Sequence, residues 1–155
     1  MKKKVIAVIV LLILFVTLLA SLLLKPSQQE KLGLEPATTI LMLAQTDCDA
    51  RGNTCVATLG EYRLNLHIDE KVTTLQPFSL TIEADGWQPQ QLAVYFSMQG
   101  MEMGLNRFRL QQTGNLWQGQ AMLPVCTQQR SDWLATVFVT HNNERYRAEF
   151  GFSTQ

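Results

Sequence analysis

The chain has 155 residues, 46% of them hydrophobic and 17% charged, with 13 basic and 13 acidic side chains. That length holds one modest domain and an appendage. Beyond Lys25 nine basic residues face thirteen acidic ones, a formal charge of −4 without a basic patch, which argues against a nucleic-acid partner.

The first element is VIAVIVLLILFVTLLASLLL, residues 5–24, which contains no charge, Pro or Gly. A helix of this length, rising about 1.5 Å per residue, crosses the roughly 30 Å hydrocarbon core of a bilayer. Lys2, Lys3 and Lys4 hold its N-terminus in the cytoplasm by the positive-inside rule. A cleaved signal peptide would carry a shorter apolar core, about 7–15 residues, ending in small residues. Here Ala20-Ser21 runs on into Leu22, Leu23, Leu24 and Lys25, and no cysteine follows closely enough for a lipid anchor. The expectation is an uncleaved signal-anchor in the inner membrane. Residues 1–4 form its cytoplasmic basic end, 5–24 the transmembrane helix, 25–47 a linker and 48–155 a periplasmic domain.

The linker opens with KPSQQEKLGLEP and continues into ATTILMLAQ, a patch compatible with a short helix begun by Pro36 or with an edge strand. Cys48 and Cys55 then bracket the turn-rich DARGNT. An exported chain sits in an oxidising compartment, and that spacing closes a small disulfide ring. With Cys126 as the third cysteine, three pairings exist; the expectation is Cys48–Cys55 bonded and Cys126 free.

Beyond Cys55 the hydrophobic pattern has period two, the mark of half-buried strands. EYRLNLHID turns Tyr62, Leu64, Leu66 and Ile68 to one side. FSLTIEA does the same with Phe78, Leu80, Ile82 and Ala84, and QLAVYFSM with Leu92, Val94, Phe96 and Met98. RFRLQQTGNLWQGQAML is a hairpin with Thr113-Gly114-Asn115 at its turn. WLATVFVTH and RYRAEFGFS follow, separated by His141-Asn142-Asn143. These elements predict an all-β fold, an immunoglobulin-like antiparallel β-sandwich of about seven strands behind one transmembrane helix. Trp87, Trp117 and Trp133 are expected as core or rim aromatics.

SMQGMEMG places three of the chain's six methionines within residues 97–104. Met98 continues the inward parity of its strand and fits core filling. Met101 and Met103, two apart in a glycine-bounded strand end, project to one side. They either cover the end of the core or act as soft ligands, and thioethers select Cu(I) among biological metals. Cys126, in the loop LPVCTQQ, is a further sulfur for such a site, which would comprise Met101 and Met103 with Met98 or Cys126. His67 on a polar strand face and His141 at a turn are expected to face solvent. No nucleophile elbow, zinc-protease helix, phosphate loop or dinucleotide fingerprint occurs, so no enzymatic activity is expected.

VYFSMQGMEMG, the Gly-Asn hairpin and GQAMLPVCTQQRSDWLATVFV, behind an N-terminal anchor, resemble the FixH-like and YtkA-like envelope proteins over residues 75–152. The resemblance implies an immunoglobulin-like fold. It also implies copper delivery or assembly of a haem-copper respiratory oxidase, with that oxidase or its copper-assembly proteins as partners, and it carries over to Met98, Met101 and Met103. Two further functions fit the residues: a metal-free interaction module whose methionine rim is an adaptable contact surface, and a thiol-redox accessory protein. The anchor has a direct check. Alkaline phosphatase fused after Gln155 is expected to be active, with residues 1–24 retained in the purified protein; a mature soluble form starting near Lys25 would overturn it.

Overall fold

Alternate side chains are buried along every long strand. β4 (Tyr62–Ile68) buries Leu64, Leu66 and Ile68, β5 (Pro77–Asp85) buries Phe78, Leu80 and Ile82, and β6 (Gln91–Ser97) buries Leu92, Val94 and Phe96. These are the faces that the period-two pattern turns inward. The computed structural model describes residues 38–154 except Glu102 and Leu105. The expected anchor at residues 5–24 and the linker up to residue 37 lie outside the described residues. Among the described residues no helix is long and apolar enough to cross a membrane.

The remaining strands are β1 (Thr39–Leu41), β2 (Leu43–Ala44), β3 (Thr54–Leu59), β7 (Arg107–Arg109), β8 (Gln111–Thr113), β9 (Leu116–Met122), β10 (Asp132–His141) and β11 (Glu144–Ser153). They form two sheets, a first of order β1-β11-β10-β6-β7 and a second of order β2-β3-β4-β5-β9-β8. Neighbouring strands are antiparallel except for β1, which runs parallel to β11. The inward faces of both sheets share one core, as in a β-sandwich. Phe96 of the first sheet meets Phe78 of the second edge-on, with ring centres 5.6 Å apart, and also touches Phe108 and Phe152.

Among the described residues eleven strands replace the expected seven or so, for three reasons. The segment TCVATL forms β3. ATTILMLAQ supplies two edge strands and no helix, β1 on the first sheet and β2 on the second, with buried Met42 between them. The sandwich therefore takes in residues 39–44, which a domain boundary at residue 48 leaves to the linker. RFRLQQT also divides. β7 pairs with β6, and β8 pairs with β9 in the other sheet, the change falling at Leu110. Leu110 is buried, its N–H donating to the Leu92 carbonyl at 3.0 Å. Gly119 on β9 makes room for it: a Cβ there would stand 2.5 Å from Leu110 Cδ2.

The turns follow the expected chemistry. β10 and β11 are joined by Asn142-Asn143, both with positive φ, the geometry of a two-residue hairpin with primed twist. This end of the sandwich is aromatic. Tyr62 stacks on Trp87 with centroids 4.7 Å apart, and Tyr146 meets Trp87 edge-on at 4.9 Å. The Tyr146 hydroxyl donates to Glu144 Oε2 at 2.5 Å, which together with burial pushes the phenol up to about 12.

Trp87 is aimed by its neighbour Gly86, which has φ +82° and whose absent Cβ would lie 2.6 Å from the Glu61 carbonyl oxygen. Gly60, in the β3–β4 turn at φ +59°, has nothing within 4 Å of that position. Both alanine substitutions incur the left-handed backbone penalty of about 1–2 kcal/mol. Gly86→Ala must also displace a backbone carbonyl, an overpacking cost of about 1–3 kcal/mol more. Urea unfolding is expected to rank Gly86→Ala below Gly60→Ala by that margin; equal midpoints would contradict the packing account.

Candidate functional site

The opposite end of the sandwich collects the sulfur atoms. β6 leads into a tight turn in which Met98 and Met101 bond reciprocally, Met101 N–H to the Met98 carbonyl at 2.9 Å and Met98 N–H to the Met101 carbonyl at 3.3 Å. Gly100, with φ +74°, takes the second central position of that turn, where a left-handed residue is needed. Directly opposed residues of an antiparallel pair present their side chains to the same face. Met98, only 2% exposed, belongs to the core, so Met101 is turned the same way; Met101 and Met103 are half-buried and pack against that core.

Asn106 secures the return of this loop. Its carbonyl accepts the Phe96 N–H at 3.1 Å, and its buried side-chain amide donates to the Phe96 carbonyl at 3.4 Å. The β6–β10 ladder ends with Ser97 opposite Leu134. Met98 follows Ser97 and Trp133 precedes Leu134, just past the end of that ladder, and Trp133 pairs with Phe152 of β11. The inner rim of the first sheet thus ends in a row of buried side chains that includes Met98, Trp133 and Phe152, with Met101 packed against the same core. The Trp133 indole N–H is buried without an acceptor.

Cys126 lies in the loop from β9 to β10, which crosses from the second sheet to the first at this same end. It is a free thiol, 8% exposed. Its carbonyl accepts the Gln129 N–H at 3.2 Å, closing a turn that delivers Arg130. Arg130 Nε donates to Asp132 Oδ1 at 2.8 Å, Nη2 to Asp132 Oδ2, and Nη1 to the Gln99 carbonyl at 3.1 Å. Gln99 is the residue between Met98 and Gly100, so one guanidinium ties the cysteine loop to the methionine turn. The Asp132 carboxylate raises the pKa of Arg130, with a smaller contribution from Cys126, while Arg130 lowers that of Asp132.

Cys48 and Cys55 are disulfide-bonded, with Cα atoms 5.8 Å apart, as the spacing implied. The ring caps this end and bridges the sheets: Ala50 N–H donates to Gly151 of β11, and the Ala50 carbonyl accepts the N–H of Ile68 of β4, each at 3.0 Å. Ser153 Oγ donates to Asp49 Oδ2 at 2.5 Å. These two cysteines are structural.

Neither histidine joins the sulfur groups. His67, half-buried on the outer face of β4, has Nδ1 3.2 Å from the Asn53 carbonyl. His141 lies at the aromatic end, with Nδ1 2.9 Å from the Gln88 carbonyl, Nε2 3.1 Å from Asn142 Nδ2, and its ring edge-on to Trp87. Both lie off the core, part-exposed, and bond to carbonyls of neighbouring loops that one strand's pattern does not contain.

Among the described residues no three His, Cys, Asp or Glu side chains converge. The sulfur groups at the methionine end are thioethers and one thiol, donor types that suit soft Cu(I) and not the hard cations Ca²⁺ and Mg²⁺. Arg130, Asp132 and Asn106 join this end of the sandwich without a motif to announce them. Their only signal in the sequence is an Arg-x-Asp pair just before Trp133 and an Asn two residues past Gly104.

No protein-family model, curated protein or solved structure matches this chain. Thiol titration tests the cysteine assignment. One thiol per chain is expected, slow to alkylate until the protein is unfolded, and peptide mapping without reduction should recover Cys48 joined to Cys55. Reducing that short ring should lower stability by roughly 2–3 kcal/mol in the chain-entropy account; a cross-linked peptide containing Cys126 would refute the pairing.

Proposed function

We propose that this protein is a membrane-anchored envelope accessory that binds and hands on Cu(I) and catalyses no reaction itself. Residues 5–24 anchor it in the inner membrane with an immunoglobulin-like domain in the periplasm. Its partners are a haem-copper respiratory oxidase or the proteins that assemble that oxidase's copper centre. Met101 and Met103 are the principal ligands, with Met98 or Cys126 completing the set. The observation that carries this reading is the pairing of Met98 with Met101 across a tight turn that Arg130 ties to the loop of the free thiol. The resemblance of residues 75–152 to FixH-like and YtkA-like proteins points the same way. Bound copper would supply a soft, exchangeable cation; the chain's part is to present sulfur at a part-buried rim.

A second reading, a metal-free contact module, is favoured by one observation. Leu75, Met122 and Val125 are all exposed around the cysteine loop. Leu75 bonds to Leu123, and Met122 pairs with Pro77, so the three form an apolar skirt beside Cys126.

Competition for Cu(I) against a colorimetric chelator, under reducing conditions with the full-length chain in detergent, separates the two. Met101→Leu/Met103→Leu keeps the apolar volume and removes both thioethers. Outer-shell changes at metal sites typically cost 10–100-fold in affinity, and losing two ligands should cost on the order of a hundredfold or more. Equal binding by the two proteins, or none by either, would return these methionines to core packing and leave the contact module as the better account.

A further inference from the structure

We infer that Arg130 is the positioning residue of the sulfur site, the group that makes one site out of two loops distant in sequence. This inference rests on the copper reading above. The methionine turn belongs to the β6–β7 connection and Cys126 to the β9–β10 connection. Arg130 Nη1 donates to the Gln99 carbonyl at 3.1 Å, a bond that joins the two connections. The rest of the same guanidinium is occupied by both oxygens of Asp132, the first residue of β10. Three points are thereby fixed by one planar group: the tip of the methionine turn, the start of the strand that carries Trp133, and the loop four residues past Cys126.

The chemistry requires arginine. Its rigid fork can hold a carboxylate along one edge and donate to a carbonyl from another nitrogen, whereas a lysine ammonium is a point charge that cannot hold both in one plane. The arrangement is poorly explained as a device for stability. Arg130 is about one-third exposed and Asp132 more than half, and ion pairs in such positions contribute little to folding. The aim of the Gln99 contact is also specific. A general surface ion pair has no reason to reach the carbonyl between Met98 and Gly100.

The experiment compares wild type, Arg130→Gln, Arg130→Lys and Met101→Leu/Met103→Leu as full-length chains in detergent, by Cu(I) competition and X-ray absorption. With methyl-labelled methionine, it also measures nuclear Overhauser contacts from the Met101 and Met103 methyl groups to the Cys126 β-protons without metal. Arg130→Gln is expected to melt close to wild type, to bind Cu(I) about 10–100-fold more weakly and with fewer sulfur ligands, and to lose the methionine–cysteine contacts. Arg130→Lys should fall between the two. If Arg130→Gln binds Cu(I) as wild type does while the double methionine variant fails, the positioning role is overturned and the copper reading stands. If wild type binds no Cu(I), the copper reading falls, and the metal-free contacts decide the positioning role. Their loss in Arg130→Gln upholds it; their persistence, or their absence from wild type, overturns it.

Discussion

Both edges of the sandwich are closed by a segment that leaves one sheet and joins the other, and the rest of the architecture depends on those two crossings. At one edge the chain passes from β1 to β2 through buried Met42, whose N–H donates to the Arg147 carbonyl at 2.8 Å. At the other it passes from β7 to β8 through Leu110. Each crossing residue is a plug between the sheets. A two-layer stack has four exposed edges, and unpaired edges invite pairing with other chains. Here short strands that change sheets hold those edges together in pairs, and the missing side chain of Gly119 leaves Leu110 its place, since a Cβ there would force the leucine to shift.

The crossings also explain what the sequence conveyed and what it hid. Strand faces were readable because burial in a shared interior imposes parity two: Leu64, Leu66, Ile68, Phe78, Leu80 and Ile82 all point where alternation says. That same parity conceals a change of sheet. Phe108 and Leu110 are both inward, as are Ile40, Met42 and Ala44, whichever sheet their strand belongs to. A segment can therefore switch partners without any break in its pattern, so one hairpin arm became two strands and an undecided patch became two more. The disulfide was readable for a local reason, since only six residues lie between its cysteines and they form a short turn.

The candidate site divides along the same line. Met98 and Met101 lie three residues apart, and Gly100 between them marks the turn that sets them face to face. Whether Cys126 comes near them is a question of strand order. That both loops lie at one end of the sandwich follows only from where β9 ends, beside Pro77, and where β10 meets β6, Leu134 beside Ser97, pairings separated by tens of residues. Arg130 was hidden for a stronger reason. Its partner is a backbone carbonyl, and a carbonyl leaves no trace in the identity of the residue that bears it.

Ligand and core filler are usually opposed as readings of a buried methionine, and at this rim the physics removes the opposition. A carboxylate or imidazole held ready for a metal must be solvated or hydrogen-bonded while it waits, because burying it unpartnered costs several kcal/mol. A thioether has no such requirement. It packs as an apolar group, and its sulfur makes favourable contacts with aromatic neighbours of the kind Trp133 and Phe152 provide in this row. Met98, Met101 and Met103 can therefore complete the core without metal and still offer donors to a soft cation. The exchange need not expose a charge. Burial thus cannot separate the two roles at these positions; only replacing sulfur by carbon at constant volume can. The polar bonds at this rim belong instead to Arg130, whose guanidinium joins the Gln99 carbonyl of the methionine turn to Asp132 at the start of β10.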